Sequence, residues 1–166
     1  SGGGGSSTSA NKNEMIDEQM LNKILEAGTY APSGMNLQSP IIVAITNKKL
    51  RDKLSRINAK IMGKDIDPFY GAPVVVVVLA DKNCSTYIYD GSAVMENMML
   101  AAKSLGIGSC WIHRAKETFE TEEGREILNS LGISENYEGI GNCILGYPDE
   151  VVGNKKIKDK YIYRIA

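Results

Sequence analysis

An α/β sandwich, a mixed sheet flanked by helices, is the fold class that three observations predict. Apolar residues recur at helical spacing in several stretches, and short apolar runs of strand length lie between them. One of those runs, Val74 to Leu79, is rich in β-branched residues with no polar alternation, as expected of a central strand buried on both faces. Gly28, Gly106 and Gly132 each follow a helical stretch and punctuate the alternation. A chain of 166 residues fits one domain with a full hydrophobic core.

The chain opens on S-G-G-G-G-S-S-T-S, low in complexity and without an apolar anchor. Residues 1–12 therefore read as a flexible Gly/Ser-rich leader or a vector-derived remnant, and 13–166 as the domain. Asp17 is an N-cap candidate, with Ile16 and Leu21 placed to staple around it. Leu21, Ile24 and Leu25 then form one stripe of a first helix, with Gly28 expected at its C′ position. Ile41 to Thr46 reads as a short buried strand. A second helix carries Leu50, Leu54, Ile57 and Ile61 inward while Lys48, Lys49, Arg51, Lys53 and Arg56 face water.

Pro68 and Pro73 break the chain before the valine-rich strand. Tyr87 to Leu105 predicts a helix apolar nearly all round, buried in the domain or at a subunit interface. Gly108 to His113 is a third strand, Glu117 to Leu131 another helix, and Gly139 to Leu145 a fourth strand. The basic tail ends Y-I-Y-R-I-A, whose alternation suits a strand added to a sheet edge.

Composition excludes several functions. Acidic and basic residues nearly balance, at a formal net charge of −1, so there is no electrostatic footprint for nucleic acid. The longest apolar run, Val74 to Ala80, is too short to span a bilayer, and no signal peptide opens the chain. Three scattered cysteines do not make a disulfide framework, so a reducing, cytoplasmic setting is expected. The one histidine, His113, follows Cys110 by three positions on a strand, which puts the two on opposite faces. No C-x-x-C pair offers a zinc site, and Gly106-Ile107-Gly108 and Gly139-Ile140-Gly141 each give only half of a dinucleotide fingerprint.

One stretch stands out. Between the first helix and the first strand, Ser33, Asn36 and Gln38 are packed between Pro32 and Pro40, and Gly34 allows close approach of the backbone. Composition alone is satisfied by an ordinary polar loop. The same residues suit a grip on a flat polar heterocycle, with amides facing its donor and acceptor edge. With no acid, base or nucleophile set in view, a redox enzyme here would import its chemistry in a flavin.

The segment A-P-S-G-M-N-x-Q-S-P after I-L-E-A-G resembles the signature loop of the nitroreductase family, FMN-dependent NAD(P)H oxidoreductases. The resemblance continues through Y-D-G-S-A-V-M-E-N-M-M-L-A-A-K-S-L-G-I-G-S-C-W-I at 89–112 and I-L-G-Y-P at 144–148, in order and at matching spacing. It implies a mainly antiparallel sheet and an intertwined homodimer with two flavin sites at the interface, residues 147–166 embracing the partner. It implies that hydride from NADH or NADPH passes through flavin N5 to a nitroaromatic, quinone or similar acceptor, with no side chain covalently involved. By the same resemblance Pro32, Ser33, Gly34, Asn36 and Gln38 line the FMN ring and ribityl chain. Ile112, His113 and Arg114 present backbone amides to it, Trp111 being core, and Lys155 and Lys156 hold the phosphate where a solvated lysine cluster is the alternative.

The front of the chain departs from the family. An Arg-Arg-Ser-x-Arg segment that clamps the phosphate is usual, and Ser6, Ser7, Thr8, Ser9 and Ala10 stand in its place. Without those guanidinium groups, phosphate binding is weaker by roughly 1.5 to 3 kcal/mol for each charge-assisted hydrogen bond, about an order of magnitude in affinity or more. The rival expectation is thus a nitroreductase-like scaffold altered at its N-terminus, poor in flavin or free of it, without catalytic activity. A cysteine hydrolase using Cys110 is a third reading, which alkylation of that thiol would test.

Overall fold

The computed structural model describes residues 14–149 and 153–166. The leader expected at 1–12, with Ser6 to Ala10, lies outside the described residues, as do positions 150–152 of the tail. The elements run α1 (Glu18–Thr29), β1 (Pro40–Ile45), α2 (Lys48–Met62), β2 (Val74–Asp81), α3 (Tyr87–Ser104), β3 (Gly108–Ile112), α4 (Ala115–Glu120), α5 (Glu122–Ser130) and β4 (Tyr137–Gly146). The expected α/β sandwich is observed. Four strands pair in the order β1-β2-β4-β3, and every pairing is antiparallel.

The sheet is covered on both faces because β2 is apolar on both. Val74, Val76 and Val78 pack with Ile24, Met95 and Met98 of α1 and α3. Val75, Val77 and Leu79 pack on the opposite layer with Leu54, Phe69, Phe119 and Leu128, supplied by α2, α4, α5 and the loop before β2. A strand's two-residue period deals successive valines to the two layers. Each side chain so buried contributes roughly 1.5 to 3 kcal/mol of transfer free energy, which makes β2 the axis of the fold.

Several elements start as their sequence signals require. The Asp17 carboxylate accepts from the amides of Gln19 and Met20 at 2.9 and 3.2 Å, and Ile16 and Leu21 are buried in one cluster. Asp17→Ala is expected to cost about 1 kcal/mol in urea denaturation, the usual loss of a helix N-cap; an unchanged midpoint would remove Asp17 from that role. Asn47 caps α2 by accepting from Leu50 N, and Gly63 ends it in the left-handed region.

Other expectations are corrected. Gly28 is inside α1 rather than past its end, because a Cβ there would stand 2.9 Å from both Ile42 Cδ1 and Met98 Cγ. β1 begins at Pro40 and is half-buried rather than buried, as suits an edge strand that can open on proline. Arg51 does not face water: it is 7 % exposed and donates to Ala72 O and to Asp67. The helix expected over 117–131 is two helices. Thr121 adopts an extended conformation between them, donates its hydroxyl to Thr118 O and accepts from Gly124 N. Described residues of the C-terminal tail form no strand; Tyr147 and Pro148 are partly buried and 153–166 are exposed. No helix among the described residues is long and apolar enough to cross a membrane.

Candidate functional site

The Pro32–Ser39 loop is organised by a residue far along the chain. Asp90 sits in the first turn of α3, 3 % exposed. It accepts from Gly34 N at 3.0 Å, Ser39 Oγ at 2.7 Å and Thr86 Oγ1 at 3.0 Å. Burial pushes its carboxyl up, but those three donors together outweigh it and hold the group below the ordinary aspartate value. Gly34 is required by this approach, since a Cβ there would collide with Thr86.

Beyond that anchor the backbone is held in unfavourable geometry. Met35, Asn36 and Gln38 have φ of 51, 53 and 52°, a cluster of left-handed residues with no glycine among them. The amide of Gln38 donates to Ser33 Oγ at 3.0 Å and closes the turn. The Asn36 and Gln38 side chains are exposed and make only a 3.5 Å contact with each other. Ser33 and Gln38 also line a cleft of about 410 Å³ with Gly28, Ala31, Pro40 and Val94. Pro32 is exposed at the loop's shoulder. Strain that persists in one short segment, with amide groups turned outward, is a feature of ligand clamps.

The second expected group lies elsewhere. Ile112 closes β3 buried, His113 is exposed, and Arg114 has φ 74° ahead of α4. Two buried amides pin this strand end. Asn58 donates to His113 O at 3.1 Å and accepts from Arg114 Nε at 2.6 Å. Asn142 donates to Ile112 O and His113 O, each at 3.3 Å. Arg114 is thus committed through Nε to its own chain. Trp111 stacks loosely toward His113 at 6.2 Å between ring centroids, and its buried Nε1 finds no acceptor among the described residues. Cys110 packs in the core cluster with Val75 and Val77, whereas His113 is exposed.

The two groups do not meet within one chain. β1 and β3 occupy opposite edges of the sheet with β2 and β4 between them, three strand spacings or roughly 14 Å apart. Lys155 and Lys156 are exposed in the tail. Sequence reasoning missed Asp90, Ser39, Thr86, Asn58 and Asn142. Three of them carried a signal: Asp90 is the one acid in the first turn of an apolar helix, Asn58 follows Leu54 by four on the inward stripe, and Asn142 interrupts an apolar strand.

The chain matches the model of the Nitroreductase family over residues 6–68 and 63–147. A protein of Archaeoglobus fulgidus with the provisional name NADH dehydrogenase/NAD(P)H nitroreductase is 34 % identical over 141 residues, covering 81 % of this chain and 76 % of that protein. The crystal structure of a nitroreductase with bound FMN from Bacteroides fragilis superposes with a TM-score of 0.86 at 33 % identity, covering 96 % of this chain and 94 % of the other. A second nitroreductase with bound FMN, from Desulfitobacterium hafniense, gives a TM-score of 0.84 at 26 % identity over 96 % of this chain and 93 % of its own.

Proposed function

Because the chain belongs to the nitroreductase family, we propose that it is an FMN-dependent oxidoreductase that takes hydride from NADH or NADPH and reduces a quinone, nitroaromatic or similar small acceptor. The observation that carries this reading is the strained 33–38 segment, clamped beneath by Asp90 and presenting the exposed amides of Asn36 and Gln38. Such amides offer donors and acceptors together, which is what the alternating edge of a flavin ring demands. Bound FMN supplies a ring that can accept and release a hydride, and the chain supplies its position and surroundings. In the net reaction a nicotinamide gives up a hydride, and the hydride with one solvent proton converts a quinone to its hydroquinone.

Two copies of the chain complete the site in this reading. Pro32, Ser33, Gly34, Asn36 and Gln38 come from one copy, and Ile112, His113 and Arg114 from the other. The separation of the two groups on opposite sheet edges supports that arrangement. So do Tyr30, Met35, Leu37 and Tyr89, large apolar side chains exposed on and beside the loop, with Met35 91 % exposed. Residues 147–166 reach the partner, and Lys155 and Lys156 hold the phosphate. Cys84 and Cys143 are free thiols, in keeping with a reducing cytoplasm.

The test is reconstitution of the purified chain with excess FMN, followed by gel filtration. A yellow dimer that oxidises NADH or NADPH when a quinone or nitroaromatic is added is expected. A colourless protein without that activity would leave the flavin-free scaffold in its place.

A further inference from the structure

Asp90 is the only buried acid among the described residues, and it is unusual in having no cation to answer it. All of its partners are neutral: one backbone amide and two hydroxyls. A buried carboxylate costs several kcal/mol unless its lone pairs are filled, so its retention calls for a physical reason. The three partners supply one. Gly34 N begins the strained segment, Ser39 Oγ ends it, and Thr86 Oγ1 belongs to the N-cap residue of α3. One carboxylate oxygen accepts from Gly34 N and the other from both hydroxyls, so a single side chain ties all three groups together. The positive end of α3 adds support for the charge.

Resting on the flavin reading above, we propose that Asp90 is the positioning residue of the cofactor loop, tying both of its ends to α3 so that Met35, Asn36 and Gln38 stay in their left-handed conformations before any ligand arrives. Each of those residues would otherwise relax toward negative φ, at a gain of roughly 1 kcal/mol or more. An untied loop samples many shapes, and the apparent affinity falls by the fraction of time it spends in the competent one. Asp90 itself is 3 % exposed and lies beneath the loop, so it acts through Gly34 and Ser39 and touches no ligand.

The experiment compares Asp90→Ala, Asp90→Asn and a control, Asp67→Ala, which disturbs a network remote from the loop. Hydrogen exchange of the 30–40 segment is read on cofactor-free protein, and FMN dissociation constants are read on the folded fraction. For Asp90→Ala, exchange of the segment and the FMN dissociation constant are both expected to rise about tenfold or more. Asp90→Asn keeps an acceptor for Gly34 N, and the two hydroxyls can turn to accept from its NH₂. It should therefore restore affinity to within about threefold of the parent. Asp67→Ala should lower thermal stability with loop exchange and FMN affinity unchanged. If Asp90→Ala does not fold, Ser39→Ala combined with Thr86→Val removes two of the three ties and is read by the same measurements.

Parental loop exchange in the Asp90→Ala chain would overturn the proposal. So would an equal drop in FMN affinity in Asp67→Ala, since the effect would then be general destabilisation. A parent chain that takes up no FMN would overturn the flavin reading instead, and the exchange comparison would still decide whether Asp90 holds the loop.

Discussion

Asn36→Asp combined with Gln38→Glu is expected to weaken FMN binding by about a hundredfold or more while leaving the melting temperature nearly unchanged. Both side chains are exposed and contact only each other, so the folded chain gives up little beyond a 3.5 Å contact. Shape is kept, and aspartate tolerates the left-handed backbone at position 36 as asparagine does. What changes is that two NH₂ donors become anionic acceptors. Each missing donor costs about 1 to 1.5 kcal/mol, and two new negative charges beside an anionic ligand bring the total to about 3 kcal/mol. Fluorescence titration of FMN against parent and variant measures it. Parental affinity in the double variant would take the loop out of the cofactor site, and the functional reading would lose its main support.

Asp67→Ala is expected to lower stability by about 3 kcal/mol, which for a chain of this length is roughly 6 to 12 °C in melting temperature. Asp67 accepts from Arg51 Nη2 at 2.6 Å, Ser55 Oγ at 2.7 Å, Phe69 N at 3.0 Å and Gly71 N at 2.7 Å. Its removal leaves a buried guanidinium with Ala72 O at 2.8 Å, the partly exposed Asp52 at 3.2 Å and the Phe69 ring at 5.5 Å. The side chain of Asp67 is 34 % exposed, and water can replace part of what it provides, so the low end of the range for a broken buried pair applies.

The effect depends on pH with a definite sign. Burial pushes the Asp67 carboxyl up, but Arg51, Ser55 and the two amides outweigh it and hold the group below its ordinary value of 3.8. A folded-state value below the unfolded one gives stabilisation that is complete above about pH 5 and is lost as pH falls through the folded value. The stability gap between parent and Asp67→Ala should therefore shrink from pH 6 toward pH 2. A gap constant across that range would show that the charge is not what stabilises the turn.

Signals read locally were legible because their cause is local. Asp17 caps α1 through amides two and three residues away, and the staple and the helical stripes likewise act within a turn or two. The break at Thr121 also had a local signal, a threonine followed by two glutamates and a glycine, which an uninterrupted helical stripe concealed. Gly28 misled because two causes select glycine after an apolar stripe. A left-handed cap acts within the helix, whereas a close crossing depends on Ile42 and Met98, one of them seventy positions away.

The amino-acid sequence by itself determined the alternation of helices and strands, the buried valine strand, the polar loop of Ser33, Asn36 and Gln38, and through its motifs the family. Tertiary structure alone decided what holds that loop and how far it stands from the strand end at Ile112. Asp90 meets Gly34 only after α3 has packed beneath the loop, and β1 is separated from β3 only once β2 and β4 have paired between them. Hydrogen bonds between groups fifty-six positions apart leave no periodicity in a sequence, because chain folding sets their distance and the spacing of residues does not.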